Sequence, residues 1–149
     1  MRHQRLSMRL TKALLDYLDV NPAGELFAAP FDVVMSLFDV VEPDLLLIAN
    51  DQAHLLTDLH FRGAPALVVE ILSPSTRRRD RQLKRDLYAR AGVREYWMVD
   101  PKAATIAVSR RAAVGDFPLA ATLHASAADA LTSPLLPAFS LPLTKLFRN

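Results

Sequence analysis

The sequence contains no cysteine, which excludes disulfides, thiolate metal sites and cysteine nucleophiles and leaves oxygen- and histidine-ligated metals open. It also has no apolar run near the roughly twenty residues that span a bilayer, and no continuous apolar h-region of a secretory signal at the N-terminus. Both absences predict a cytosolic protein without a membrane partner. Net charge is scarce as well: the formal value is +2, too small by itself to indicate a nucleic-acid partner. Internal repeats and low-complexity linkers are missing. A chain of 149 residues at 51% apolar content therefore predicts one domain with a substantial core, the pattern weakening beyond residue 111.

What is present is periodic. Leu6, Leu10, Leu14 and Leu18 recur every four residues, which predicts a first helix over about 2–18 with a core-facing stripe. Asn21, Pro22 and Gly24 end it, and the apolar runs 25–28 and 33–37, separated by Pro30, read as a strand pair. Pro43 and Asp44 lead into Leu45-Leu46-Leu47-Ile48, a strand covered on both faces. Residues 50–65 lack a clear period and read as a loop with one helical turn. Residues 67–72 form a second buried strand, interrupted by Glu70. Ser73-Pro74-Ser75-Thr76 supplies a turn and an N-cap for a second helix that packs through Leu83, Leu87 and Ala91 and is closed by Gly92. Residues 95–100 and 105–109 predict a hairpin, with Trp97 in the core. Residues 119–123 read as a further strand, Ser140 as the cap of a short helix through Leu146, and the proline-rich rest as irregular. This order predicts an α/β fold: a central mixed sheet flanked by helices.

The charged residues are unevenly placed. Arg77, Arg78, Arg79, Arg81, Lys84, Arg85 and Arg90 share one stretch with only Asp80 and Asp86 opposing them, either a solvated helix face or a phosphate-binding surface. Asp44 and Glu70 stand in or beside apolar strands, where an ionised carboxylate needs a partner. If the two strands are neighbours, one hard cation such as Mg²⁺ or Mn²⁺ would compensate both; otherwise each pairs separately with an arginine. On the second helix Asp80, Lys84 and Tyr88 recur at i, i+4 and i+8. That stripe is either an Asp80–Lys84 ion pair or an ammonium held over the carboxylates, with Arg81 and Arg85 turned to solvent on either side.

The order Pro43-Asp44, Glu70-Ile71-Leu72-Ser73-Pro74-Ser75-Thr76, Asp80, Lys84, Tyr88, Ala91-Gly92-Val93, Glu95-Tyr96-Trp97 and Asp100-Pro101 closely resembles the Uma two family of the PD-(D/E)XK, restriction-endonuclease-like nuclease superfamily, over roughly residues 2–111. The resemblance implies a metal site built by Asp44, Glu70 and the backbone carbonyl of Ile71. The superfamily lysine lies two residues after the glutamate, where this chain has Leu72, and Lys84 is its natural substitute, with Asp80 and Tyr88 as supporting residues. Related chains carry an extra strand pair before the first helix and often a glutamate on it; this sequence starts almost at that helix and has none between Met1 and Leu18, so His3 and Gln4 are the residues that would line the site there.

The implied chemistry is hydrolysis of DNA phosphodiesters with Mg²⁺ or Mn²⁺, using Asp44, Glu70 and Lys84, with Arg77, Arg78 and Arg81 on the phosphates. DNA is the partner implied, and a homodimer is allowed for. The alternative from another class is a non-catalytic DNA-binding or assembly protein that keeps the fold, favoured by Leu72 and the short N-terminus.

Overall fold

Leu6, Leu10, Leu14 and Leu18 share one face of α1 (Arg2–Val20), and all four are buried. Burial of each such leucine stabilises the fold by about 1.5–3 kcal/mol, which anchors the helix to the sheet beneath it. A computed structural model of the chain describes residues 1–112 and 116–149. After α1 come β1 (Gly24–Ala28), β2 (Asp32–Val34), β3 (Val40–Val41) and β4 (Leu45–Ala49), then a 3-10 turn over Asn50–Leu55, β5 (His60–Arg62) and β6 (Leu67–Ile71). They are followed by α2 (Arg78–Ala91), β7 (Glu95–Asp100), β8 (Thr105–Arg110), β9 (Leu119–His124), β10 (Ala130–Ser133), β11 (Leu136–Pro142) and α3 (Leu143–Leu146).

The central sheet runs β1-β4-β6-β7-β8-β9. Every neighbouring pair in it is antiparallel except β6 and β7. Parallel neighbours need a crossover, and α2 is that crossover, which is why it lies across one face of the sheet. Alternation along β6 divides the two faces. Leu67, Val69 and Ile71 pack with the α1 leucines, Trp97, Val99, α3 and the β10–β11 hairpin. Val68 points the other way, toward Tyr88 of α2 and Tyr96. The small sheet β3-β2-β5 covers the rest of that second face, its Val33 and Phe61 packing on Leu46 and Ile48. The α/β class with a central mixed sheet flanked by helices thus holds. Among the described residues no helix is long and apolar enough to cross a membrane.

Several local expectations are corrected. The runs at 25–28 and 33–37 do not pair with each other: β1 joins β4 along its full length, whereas β2 joins β3 and β5, because the apolar 45–48 run offers β1 a longer antiparallel partner. Residues 50–65 contain the expected helical turn, here a 3-10 turn, and in addition β5, which was not expected. The N-cap of α2 is Arg77, since the Thr76 hydroxyl is already used by Ser73 N–H at 3.0 Å. The proline-rich end forms the β10–β11 hairpin, and α3 begins after Pro142, with Ser140 inside β11.

The buried face of α2 is also not the expected one. Leu83 is 56% exposed, and Tyr88 alone on this helix is fully buried. With Tyr88 turned inward, Arg81, Lys84 and Arg85 fall on the sheet-facing side with it, seven, four and three residues earlier. Arg81 and Arg85 accordingly do not point to solvent: the Arg81 Nε is buried, and Arg85 donates to the Phe117 carbonyl at 2.5 Å. Their long stems cover apolar surface that leucines were expected to fill.

Candidate functional site

The β4–β6 ladder pairs Leu45 with Val69 at its end, so Asp44, just before β4, and Glu70, just after Val69, come to the same end of that ladder. Glu70 alternates with Val69 and Ile71, so its carboxylate emerges with Val68 on the α2 side, while Asp44 at the edge of the ladder is reached from α1 by His3. Asp44 is fixed by its own neighbour strand: its Oδ2 accepts the Ile71 backbone N–H at 2.7 Å. The aspartate therefore lies against the peptide unit that follows Glu70. Glu70 is only 8% exposed.

Two donors from α2 converge on one oxygen of Glu70. Lys84 Nζ donates to Oε1 at 2.9 Å, and the Tyr88 hydroxyl donates to the same atom at 2.5 Å. The other oxygen, Oε2, has no hydrogen-bond donor among the described residues. Burial raises the Glu70 carboxyl above its ordinary value, and the nearby Asp44 charge adds to this; Lys84 and Tyr88 pull the other way without cancelling it. Burial, then the Glu70 charge, likewise push the Tyr88 phenol upward, so it remains a donor at any physiological pH. Tyr96, 5.0 Å from the Tyr88 ring, is raised by burial and by the fields of Glu70 and Asp44. Nothing in the local sequence marked Tyr96 as bordering the carboxylates; the Val68–Tyr96 register brings it there.

The remaining predicted residues divide. His3 comes in from α1, its Nε2 3.3 Å from Asp44 Oδ1. Gln4 does not join the group; it is exposed beside Arg5 and Met8. Asp80 is turned to the start of its own helix, where it accepts the Arg77 N–H at 3.2 Å, and it forms no pair with Lys84. Arg77, Arg78 and Arg79 are exposed. Next to His3 opens a cleft of about 530 Å³, lined among others by Leu72, Thr76, Arg81, Arg2 and Lys102. Arg2 and Lys102 were not singled out in the sequence, because they lie far from each other and only the packing of α1 on the β7–β8 turn brings them together.

Among the described residues no three His, Asp or Glu side chains form a metal cluster. The donor set is two carboxylates, one of them buried with a free oxygen and a proton affinity raised by desolvation. That combination suits a hard, oxygen-seeking cation, which would add the positive charge the site lacks. With fewer protein ligands than a closed cage, such an ion would complete its shell with water and substrate oxygens.

The Uma2 family model, described as "Putative restriction endonuclease", matches residues 1–144. The fold is similar to the crystal structure of "a putative nuclease belonging to DUF820" from Anabaena variabilis ATCC 29413, with a TM-score of 0.77, 15% identity, and coverage of 99% of this chain and 80% of that one. No curated protein matches the sequence.

Proposed function

This chain belongs to the Uma2 family, and from that membership and the surroundings of Glu70 we propose that it hydrolyses DNA phosphodiester bonds with Mg²⁺ or Mn²⁺ held by Asp44 and Glu70. The observation that carries the proposal is the meeting of Lys84 with a buried carboxylate whose expected lysine partner, two residues on, is Leu72. A divalent cation bound there, with the Ile71 carbonyl as the third protein ligand, would neutralise charge on the scissile phosphate and activate water.

The protein's own groups have separate tasks. Asp44 is held in position by the Ile71 N–H, and Glu70 by Tyr88, so neither carboxylate has to be ordered when the substrate arrives. Lys84 keeps 46% of its side chain exposed, so its ammonium can reach a phosphate oxygen while its stem stays on the helix. There it stabilises negative charge that builds on the phosphate. His3, 40% exposed, faces Asp44 from the other side and can donate to a bound oxygen. The exposed Arg77 and Arg78, together with Arg81, supply sequence-independent affinity for the backbone.

The test is cleavage of supercoiled and linear duplex DNA by the purified chain with Mn²⁺ or Mg²⁺, beside the Glu70→Gln variant. Ion-dependent nicking that disappears in the folded variant supports the nuclease. Tight DNA binding without cleavage under any divalent ion would replace it with a non-catalytic DNA-binding role.

A further inference from the structure

Cations accumulate on the α1 side of the cleft, away from the arginine-rich start of α2. Residues 1–15 contain no Asp or Glu, and Arg2, Arg5 and Arg9 stand at i, i+3 and i+7 on one face of α1, beside the buried leucine stripe. The fold adds Lys102 from the turn between β7 and β8 and Arg148 from the C-terminal end. These five side chains line a second hollow of about 240 Å³. Arg2 and Lys102 line the larger cleft as well, so the two depressions share a wall. The larger cleft in turn reaches His3, the neighbour of Asp44.

None of the five cations forms an ion pair with a carboxylate among the described residues. Two of them have neutral partners: Arg2 donates to the Pro101 carbonyl at 3.4 Å, and Arg9 to the Leu146 and Arg148 carbonyls at 2.9 and 2.6 Å. Carbonyls hold a guanidinium in place but leave its charge uncompensated. The one acid on the wall, Asp100, accepts the backbone N–H groups of Lys102 and Ala103. Arg2 and Arg5 also lie near the positive end of the α1 dipole, where cations are disfavoured without an anion to offset them. From Arg2 to Arg9 the helix advances about 10 Å, longer than one phosphate group. A track of that length fits a chain of phosphates better than a single one.

We infer that the nucleic-acid backbone engaged at Asp44 and Glu70 continues over the N-terminal half of α1, where Arg2, Arg5, Arg9, Lys102 and Arg148 hold its phosphates. The inference rests on the nuclease reading and extends the binding surface to the side of the site opposite the α2 arginines.

The experiment is equilibrium binding of a labelled 25-base-pair duplex by the full chain across a sodium chloride series, without divalent ions. The triple variant Arg2→Gln/Arg5→Gln/Lys102→Gln is compared with Arg77→Gln/Arg78→Gln/Arg79→Gln, and folding of both is checked by circular dichroism. Loss of three phosphate contacts should make the slope of log K against log salt shallower by about 2–3, with affinity at least tenfold weaker at low salt. A folded α1 triple variant with the unmodified slope, while the α2 variant loses affinity, overturns the track and leaves the nuclease reading standing. Unmodified protein that binds no duplex at any salt overturns both. Loss of binding to phosphatidylglycerol vesicles with DNA affinity intact would assign the surface to anionic lipid and also overturn the inference.

Discussion

The Lys84 ammonium lies 2.9 Å from Glu70 Oε1 although the two residues are fourteen positions apart and on different elements. The position two residues after Glu70, where the superfamily pattern has its lysine, is the half-buried Leu72 on the wall of the cleft. A helix side chain thus reaches the carboxylate from above, in place of one projecting along the strand.

Lys84→Ala should lower DNA cleavage by about 10²- to 10³-fold, the usual loss when one group that stabilises transition-state charge is removed. Mn²⁺ affinity, measured by calorimetry, should hold or rise, because the ammonium competes with the ion for Glu70. Leu72→Lys in the Lys84→Ala background should restore part of the rate. Unchanged cleavage in Lys84→Ala would reduce the contact to a structural ion pair.

Glu70→Gln should not destabilise the protein in the absence of divalent ions. Burial holds the Glu70 carboxyl above its ordinary value, so the folded chain binds that proton more tightly than the unfolded chain does. Its contribution to stability is therefore fully present below the unfolded value and is lost as pH rises through the folded one. At neutral pH the carboxylate is a cost to the fold, and glutamine removes it at nearly constant volume. Thermal melts should show the variant equal to or above the unmodified protein, with Mn²⁺ raising the melting temperature of the latter alone. An unfolded variant would make Glu70 a structural residue.

Tyr88→Phe removes the 2.5 Å hydrogen bond to Glu70 while keeping the ring in the core. That bond lowers the Glu70 carboxyl toward its ordinary range, so its loss lets burial raise it further. The acid limb of the cleavage profile should move to higher pH, and stability should fall by about 1.5–3 kcal/mol, as for a hydrogen bond to a charged group. An unmoved acid limb would show that Glu70 ionisation does not govern the rate.

A second buried carboxylate makes a contrasting case. Glu95, 1% exposed, receives Arg110 Nε at 2.7 Å on one oxygen and the Ser133 hydroxyl on the other, which ties the β10–β11 hairpin to β7 and β8. Both its oxygens are occupied, and it has no opening to the cleft. Glu95→Ala should cost about 1–3 kcal/mol, mainly by leaving the buried Ser133 hydroxyl without its acceptor while the 38% exposed Arg110 turns to water, without changing Mn²⁺ affinity. Denaturant unfolding and ion titration of the same variant separate the two effects.

Much of the fold was legible because it depends on local period. The four-residue spacing of the α1 leucines, the apolar run of β4 and the hairpin of β7 and β8 appear where the pattern predicts them. The short strands β3 and β5 were not legible, and β2 was read too long and with the wrong partner, since three residues or fewer carry no period and their stability comes from pairing across the chain. The orientation of α2 was misread for a related reason. Leu83 and Leu87 form the more apolar stripe, yet the inward turn of Tyr88 toward Glu70 and Tyr96 sets which side meets the sheet.

By itself, the sequence determined the helices, the buried strands and the two carboxylates that stand out in apolar surroundings, because periodicity and an out-of-place charge are properties of neighbouring residues. Only the tertiary structure decided which groups meet them. The pairing of β4 with β6 brings Asp44 and Glu70 to one end of the ladder, the rotation of α2 brings Lys84 and Tyr88 to one oxygen, and the approach of α1 delivers His3. The same packing gathers Arg2, Lys102 and Arg148 into one surface. Register and helix rotation are settled by the joint packing of elements far apart in the chain, and no local pattern encodes that sum.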